Sequence, residues 1–584
     1  MPVRRMLAAL VLVAGAAFST VTWTDEISNP NVEISGVDED TADAIRHSLP
    51  ITRERCSTPQ RRLRHQIAGA RTEIQQLLTG LGYYQSTIDT RFERDSAEYC
   101  WVLYIDIDPG PAVRIDQVNV RLEGPGADDE GFRDYLGNLP VKSGDQLNHE
   151  RYEAIKTRLG NLAVTRGYIE AAFTRQRIVV NVEAGTADID LLFLTGPRYR
   201  FGEFTFQQDI LNEELLRRYS DVDPGDPFDV GALIELNQRL SNSGYYSMVM
   251  VRQQGPDREQ LTIPVLVEME PRLRYGYSVR GGFSTDTGPR GGITGEARRI
   301  NRAGHRITGE IELSPVRSHI GVAYIVPGSD PHTDYTRYST GFKTEETDSF
   351  DSDLWQVGVS RVTVLSSGWK RTTSLTFQQE DYRIDDKPQQ RTMLLMPGMD
   401  WSRSRADDLL RPRSGWSLNA FTRGAAEGIL SDTSFVQLHL RSKYIMPLGR
   451  GRLLARAEVG GTWVESFTTL PASLRFYTGG DNSVRGYGYE ELGPIDSDGN
   501  ITGGRNMVAA SIEYEWPILD QFGVAAFYDT GNAFNSFSDF ESDLKSSVGI
   551  GARWHSPIGP IRVDFAFPLD DGGFRLHLTM GPDL

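Results

Sequence analysis

One segment organises the whole sequence: Gly479-Gly480-Asp481-Asn482-Ser483-Val484-Arg485-Gly486-Tyr487-Gly488-Tyr489. It places a single arginine among glycines and aromatics, inside a long connection between two segments of alternating polarity. Glycine permits backbone conformations that are closed to other residues, and aromatic rings can anchor such a turn by packing. We therefore expect a structured loop that presents Arg485, rather than an ordinary glycine-rich hairpin.

The segments around this loop alternate between aliphatic and charged residues. The alternation is clear at 306–313, 561–567 and 574–580. Charges on one face and aliphatics on the other do not build a two-sided soluble core, but they suit a barrel with lipid outside and water inside. We count about sixteen such segments, which predicts a closed, antiparallel, 16-stranded transmembrane β-barrel over residues 273–584. Two polar stretches, Ser329 to Asp334 and Lys343 to Asp353, are predicted to be long external loops.

Residues 31–272 follow a different, repeated pattern. Gly82, Gly167 and Gly244 each precede a tyrosine at the end of a helical stretch, with spacings of 85 and 77 residues. Each unit reads strand-helix-helix-strand-strand, and repetition of such a unit indicates a chain of small α/β domains. The predicted boundaries are 31–110, 111–196 and 197–272.

The composition excludes several classes of function. The net charge of -17 argues against a nucleic-acid-binding surface. The sequence contains no Walker loop, His-Glu-x-x-His or paired CxxC motif, so we expect no cofactor and no metal. His439 and His577 fall on the lumen side of their strands, away from a lipid substrate, and we expect no enzymatic activity.

The N-terminus predicts export. Arg4 and Arg5 precede an apolar run over residues 6–18, which is typical of a signal peptide within residues 1–24. The alternative is an uncleaved inner-membrane anchor. Cys56 and Cys100, the two cysteines of the chain, can form one stabilising bridge in an oxidising compartment.

Several further motifs accompany the arginine segment, in order along the chain. They are Ser511-Ile512-Glu513-Tyr514, Phe527-Tyr528-Asp529-Thr530-Gly531, Ser556-Pro557-Ile558-Gly559-Pro560 and Met580-Gly581-Pro582-Asp583-Leu584. Together with Val484-Arg485-Gly486-Tyr487 they resemble the BamA/TamA outer-membrane assembly superfamily, and the three repeats resemble POTRA domains in the number found in TamA-like members.

This resemblance implies a role for the loop. In the family, the loop arginine pairs with the aspartate of the Phe-x-Asp-x-Gly strand, which corresponds here to Arg485 and Asp529, with Glu513 nearby. Alternation independently places Glu513 and Asp529 on the lumen side. We interpret Val484, Arg485, Gly486 and Tyr487 as a latch that holds the loop against the barrel wall.

The resemblance also implies a function at the outer membrane of a Gram-negative bacterium. It implies an insertase or translocation subunit for β-barrel and autotransporter proteins, acting through a lateral gate. Its expected partners are unfolded outer-membrane clients, outer-membrane lipids and a TamB-like inner-membrane-anchored protein bound by the periplasmic POTRA domains. The expected seam of this gate joins the first and last strands, with residues Leu273, Tyr275, Tyr277, Phe574, Leu576, Leu578 and Gly581.

Two other classes of protein share part of this pattern. A two-partner secretion transporter shares the arginine loop, but usually has two POTRA domains and a plug helix. A passive porin would account for the barrel and its charged lumen, but not for three α/β repeats.

Overall fold

The computed structural model describes residues 29–94, 99–384, 387–408, 411–536, 543–556 and 559–581. The predicted signal segment, Pro557, Ile558 and residues 582–584 lie outside these ranges. The chain divides into two compact units. One runs up to Arg200 and includes Pro227–Asp229, and the other comprises Phe201–Asp226 and the residues from Val230 onward. Across the described ranges, no helix combines the length and the apolar character needed to cross a membrane.

Three α/β domains come first, each with the predicted strand-helix-helix-strand-strand order. The first domain consists of β1 (Asn31–Ser35), α1 (Glu39–Ser48), α2 (Gln60–Gly80), β2 (Thr87–Arg94) and β3 (Trp101–Asp108). The second consists of β4 (Arg114–Glu123), α3 (Glu130–Gly137), α4 (His149–Thr165), β5 (Ala172–Asn181) and β6 (Thr186–Leu194). The third consists of β7 (Arg200–Gln207), α5 (Glu213–Arg217), α6 (Val230–Asn242), β8 (Tyr246–Gln253) and β9 (Thr262–Pro271). In each sheet the last strand is central, with orders β1-β3-β2, β4-β6-β5 and β7-β9-β8.

The first two domains have separate hydrophobic cores. In the first, Ile45 and Ile74 from the helices pack with Leu103 and Ile105 of the central strand, all fully or almost fully buried. Cys56 and Cys100 form a disulfide there, with their Cα atoms 5.7 Å apart. The bridge joins the segment before α2 to the start of β3, so it restrains the unfolded chain across that domain.

The repeated Gly-Tyr marker lies at a joint between domains. Gly82 has φ +94°, and a Cβ added there would lie 2.4 Å from the carbonyl oxygen of Leu147 in the second domain. Its own carbonyl accepts a hydrogen bond from the N–H of Val113 at 2.9 Å. The carbonyl of Gly167 accepts one from Tyr199 in the same way, at 2.8 Å. The glycines therefore end a helix and also allow the next segment to approach closely.

A single antiparallel sheet follows, and its described strands number sixteen, each hydrogen-bonded to its neighbours in sequence. They are β10 (Tyr275–Ser284), β11 (Gly288–Ala297), β12 (Arg306–Leu313), β13 (Arg317–Pro327), β14 (Asp334–Glu346), β15 (Asp351–Val364), β16 (Lys370–Arg383), β17 (Gln390–Ala406), β18 (Gly415–Ala425), β19 (Phe435–Leu448), β20 (Gly451–Val464), β21 (Asn506–Pro517), β22 (Phe522–Phe534), β23 (Lys545–Ser556), β24 (Gly559–Pro568) and β25 (Arg575–Met580). The predicted fold class is confirmed.

The two faces of the barrel differ as the alternation predicts. On β22, Val524 and Tyr528 are exposed on the outer face, whereas Ala525, Phe527 and Asp529 are buried on the inner one. An apolar outer face beside a polar, filled interior is the pattern of a lipid-embedded barrel.

The prediction for the two long external loops was wrong. Asp334 already belongs to β14, and the turn before it lies on the side of the third domain, because Arg218 there donates a hydrogen bond to the carbonyl oxygen of Gly328 at 2.7 Å. Most of the 343–353 segment is strand, since β14 continues to Glu346 and β15 begins at Asp351. Charged residues within the ends of these strands, such as Lys343 and the buried Glu345, give the segment its polarity.

Candidate functional site

The segment 465–505, here called the arginine loop, joins β20 to β21 and lies against the inner wall of the barrel. Its tip is shaped by glycine, because Gly480 has φ +99° and an added Cβ would lie 2.6 Å from the carboxylate of Asp286. Val484 and Tyr487 are buried in a small apolar cluster with Leu492. These contacts fix the backbone on both sides of Arg485.

Arg485 is almost fully buried and its guanidinium is surrounded by acceptors. Nε and Nη2 donate to the two carboxylate oxygens of Asp529 at 2.7 and 2.9 Å, a bidentate pair. Nη1 donates to Glu513 at 2.7 Å and to Asp564 at 3.0 Å. The guanidinium carbon lies 3.4 Å from the ring centroid of Phe527, which adds a cation–π contact.

The acceptors come from neighbouring strands. Glu513 lies on β21, Asp529 on β22 and Asp564 on β24, and alternation directs all three inward. The backbone N–H of Arg485 also donates to Asp529, at 3.1 Å. The Arg485 side chain therefore forms hydrogen bonds with β21, β22 and β24, three of the four strands that precede β25.

A second arginine completes the cluster. Arg553 on β23 donates to Glu513 at 2.6 Å and to Asp564 at 2.5 Å. Arg456 on β20 approaches Asp529 at 3.8 Å. Three guanidinium groups thus face three carboxylates, and the cluster is formally neutral. Such balance matters because an unpaired buried charge costs about 3–5 kcal/mol when its partner is removed.

The structure brings the predicted latch residues together, and it adds three that sequence reasoning missed, Asp564, Arg553 and Arg456. Asp564 stands among aliphatics on an alternating segment, and this inward charge was a signal that could have been followed. Arg553 precedes Trp554, so alternation also placed it inward. Gly486 has its N–H hydrogen-bonded to His577 of β25 at 2.8 Å, a contact that no local pattern indicated.

The seam residues lie on both end strands, but with shorter strand limits than expected. Tyr275 and Tyr277 belong to β10, and Leu576 and Leu578 to β25. Leu273 and Phe574 lie just outside the strands and are exposed. The N–H of Gly581 donates to the carbonyl of Pro560, so this residue extends the β24 side and not the seam.

Pairing across the seam is sparse. In the described ranges, β10 and β25 stand at opposite ends of the strand order, with no ladder between them. The N–H of Thr285 donates to the carbonyl of Leu578 at 3.3 Å, and the N–H of Leu578 donates to the Thr285 hydroxyl at 3.1 Å. The neighbouring β24–β25 pair, by contrast, has a continuous register from Ile561↔Met580 to Ala566↔Arg575.

Family models match along most of this architecture. Residues 303–581 match the Omp85 superfamily domain, residues 31–109 match the model described as POTRA domain TamA domain 1, and residues 199–271 match a POTRA model described as a surface antigen variable number repeat. The fold and the loop therefore define a POTRA-bearing β-barrel of the outer membrane, with its α/β domains in the periplasm.

Individual relatives agree. BamA of Nitratidesulfovibrio vulgaris is 24% identical over 385 residues, covering 62% of this chain and 47% of that protein. BamA of Neisseria meningitidis serogroup B is 23% identical over 565 residues, covering 84% and 68%. Among solved structures, Haemophilus ducreyi BamA lacking POTRA domains 1–3 has a TM-score of 0.68 at 16% identity, covering 80% of this chain and 99% of that one. The chain spans about half the length of the first of these relatives. Its residues 303–581 form an Omp85 superfamily domain.

Proposed function

We propose that this protein is an outer-membrane insertase or translocation subunit that receives unfolded β-barrel clients at the seam between β10 and β25. Within the superfamily we assign it a TamA-like role, which includes autotransporter assembly. The observation that carries the proposal is the absence of a β10–β25 ladder in the described part of a sheet whose other neighbouring strands are all paired.

The seam is the place where a client strand can gain hydrogen bonds. An edge strand presents free N–H and C=O groups that template pairing with another chain. In lipid each unsatisfied backbone group costs several kcal/mol, so an edge that opens there strongly favours an incoming strand. Folding of the client can thus supply the driving force without a nucleotide site.

The arginine loop supports this reading because it holds one side of the seam. Arg485 forms hydrogen bonds with β21, β22 and β24, and among the described residues none of its guanidinium hydrogen bonds goes to β10 or β11. We interpret the loop as a latch that keeps the C-terminal wall in place while the N-terminal hairpin moves. A passive porin has no need of such a buried neutral cluster, and we propose no enzymatic role.

The α/β domains are assigned to binding. Each three-stranded sheet leaves β-edges, and an edge can accept a strand from a client or partner. The match of residues 31–109 to the first POTRA domain of TamA supports docking of a TamB-like inner-membrane-anchored partner at the first domain. The apolar outer face of the barrel is assigned to contact with outer-membrane lipids.

The test is quantitative proteomics of outer membranes from a deletion strain that carries wild type, Arg485→Ala or Arg450→Ala. Arg450 is an exposed arginine in the β19–β20 turn and serves as the matched control. We expect selective loss of barrel proteins that wild type and Arg450→Ala restore and Arg485→Ala does not. Both variants must be present in the membrane at wild-type amounts.

Unchanged barrel proteins in the deletion strain, together with altered uptake of small solutes, would contradict the proposal and favour a pore. Loss of one large secreted protein alone would favour a two-partner secretion transporter.

A further inference from the structure

The tip of the arginine loop makes a second set of contacts, at the seam itself. We define the seam clasp as Thr285 and Asp286, in the turn after β10, together with Asp481 of the loop and His577 of β25. The His577 and Asp481 side chains are 0% and 1% exposed. The clasp therefore joins the turn after the first strand to the last strand and the loop, around the buried Asp481 and His577.

Hydrogen bonds define the clasp. The N–H of Gly486 donates to Nε2 of His577 at 2.8 Å, which leaves the imidazole proton on Nδ1. That Nδ1 donates to Oδ1 of Asp481 at 2.6 Å. The hydroxyl of Thr285 donates to the same oxygen at 2.8 Å. Asp481 is thus held from both sides of the seam.

Asp286 supplies a second carboxyl group next to Asp481. The N–H of Asp481 donates to Oδ2 of Asp286 at 2.7 Å. Oδ1 of Asp286 and Oδ2 of Asp481 are both buried, and neither accepts a hydrogen bond from the described residues. Side-chain ligand atoms of Asp286, Asp481 and His577 all lie within 4.8 Å of one another. At this separation two bare carboxylates would repel each other, and a proton held between the two carboxyls would remove that repulsion.

We propose that Asp286, Asp481 and His577 are positioning residues for the seam: a proton shared by the two carboxyls keeps the clasp closed, and its loss loosens the first strand from the last. The proposal deepens the proposed function, on which its relevance to client entry rests. The proposal also explains how the loop acts on the seam. Arg485 fixes the loop to the barrel wall, and the clasp connects the tip of the loop to both edge strands.

The electrostatics of the turn agree with this role. Burial and, second to it, the charge of Asp481 together raise the pKa of Asp286 to about 7, although the Asp481 N–H and the nearby His577 and Arg575 act to lower it. Arg575 in turn pairs with Glu491 of the loop at 3.5 Å. Because the closed state binds the proton more tightly than an open one, closure is favoured at low pH. It weakens as pH rises from the ordinary carboxyl value of 3.8 to about 7, and changes no further above that.

The test measures seam separation directly. Spin labels on Val279→Cys and Leu576→Cys, exposed positions of β10 and β25, report the distance between the end strands by double electron–electron resonance in lipid vesicles. The native cysteines are bonded to each other and take up no label. We expect the closed-to-open ratio of the otherwise wild-type protein to fall by up to about tenfold per pH unit between about pH 5 and 7, then to level off.

Asp286→Asn should abolish this dependence. Its amide can accept from the N–H of Asp481 and donate to the free oxygen of that residue, so the seam should stay closed at every pH. Asp348→Asn makes the same charge change at an exposed residue of the β14–β15 turn and should keep the wild-type profile.

A wild-type ratio that does not change with pH would overturn the proposal, as would an Asp286→Asn profile with the wild-type slope. The measurement uses no client, so its outcome is separate from that of the proposed function. If the pH profile is as expected but Asp286→Asn inserts clients at the wild-type rate, the clasp stands and entry through the seam is contradicted.

Discussion

The two sides of the seam are stabilised in opposite ways. On the C-terminal side, Arg485 and Arg553 bind carboxylates on β21, β22 and β24 in a buried, neutral cluster. On the N-terminal side, six of the ten cross-strand pairs of the β10–β11 hairpin contain glycine. Glycine in a strand interior weakens pairing, since it costs backbone entropy and offers no side chain to pack.

Under the proposed function, this difference predicts which side of the seam moves. A wall bound by several charge-assisted hydrogen bonds is costly to deform, whereas a glycine-rich hairpin with one partner strand is not. The seam should open by displacement of β10 and β11 while β21–β24 keep their shape. Variants that remove this asymmetry, or that alter one side of it, should change how the seam opens.

The largest effect is expected from Arg485→Ala. It would leave Asp529, Glu513 and Asp564 with too few positive partners in a buried site, and the barrel should lose about 3–5 kcal/mol of unfolding free energy. Arg485→Lys should recover only part, because an ammonium cannot reproduce the bidentate fork. Denaturant unfolding in detergent, followed by tryptophan fluorescence, measures the change. Equal stability of Arg485→Ala and the exposed-site variant Arg450→Ala would contradict the role of the cluster.

The second prediction concerns a disulfide that would lock the seam. Thr285→Cys and Leu578→Cys, at the backbone-bonded pair across it, should form a disulfide that stops client insertion while the barrel remains folded. A reductant should restore insertion, measured as the rate at which an unfolded client becomes protease-resistant in vesicles. The experiment needs a Cys56→Ser, Cys100→Ser background, so that reduction acts on the seam alone. Normal insertion by the locked, oxidised protein would exclude entry between these strands.

The wall was largely predictable from the sequence, and the seam was not. Alternation alone placed Glu513 and Asp529 inward, and the resemblance supplied Arg485 as their partner. Asp564 escaped notice because its contact with Arg485 depends on the register of β24, which a period-two pattern does not determine.

The clasp lay beyond sequence reasoning for a physical reason. Thr285 and His577 come from opposite ends of the barrel sequence, and they meet only because the sheet curls round until its first and last strands lie side by side. The prediction that the turn at Ser329 is external was wrong for a different reason. Polarity indicates a loop, but it does not indicate at which end of the barrel the loop lies.

A smaller effect is expected from stiffening the soft side. Gly281 and Gly291 face each other across the hairpin, and a Cβ added to either meets nothing within 4 Å. Replacing both with valine should strengthen the hairpin by about 1 kcal/mol, because β-branched residues favour strands. Client insertion should slow by several fold with no loss of barrel stability. The control is Gly309→Val on β12, which should leave the rate unchanged, and an equal slowing by the control would remove the special role of the first hairpin.

The smallest effect is expected where the third α/β domain contacts the β11–β12 turn, at the other end of the β10–β11 hairpin. The hydroxyl of Tyr245, in the third domain, donates to the carbonyl of Gly304 in the β11–β12 turn, and the N–H of Asn212 donates to the carbonyl of Arg302 at 2.8 Å. Burial raises the pKa of Tyr245, so its hydroxyl stays protonated and able to donate.

Tyr245→Phe removes one hydrogen bond and keeps the ring, at a cost of about 0.5–1.5 kcal/mol. If the third domain restrains the moving hairpin, hydrogen exchange should quicken at residues 298–306 and in β11, and remain unchanged in β21–β24. Faster exchange spread evenly over the barrel would mean that the hairpin is not an independent unit, and that the asymmetry between the two sides of the seam has no dynamic counterpart.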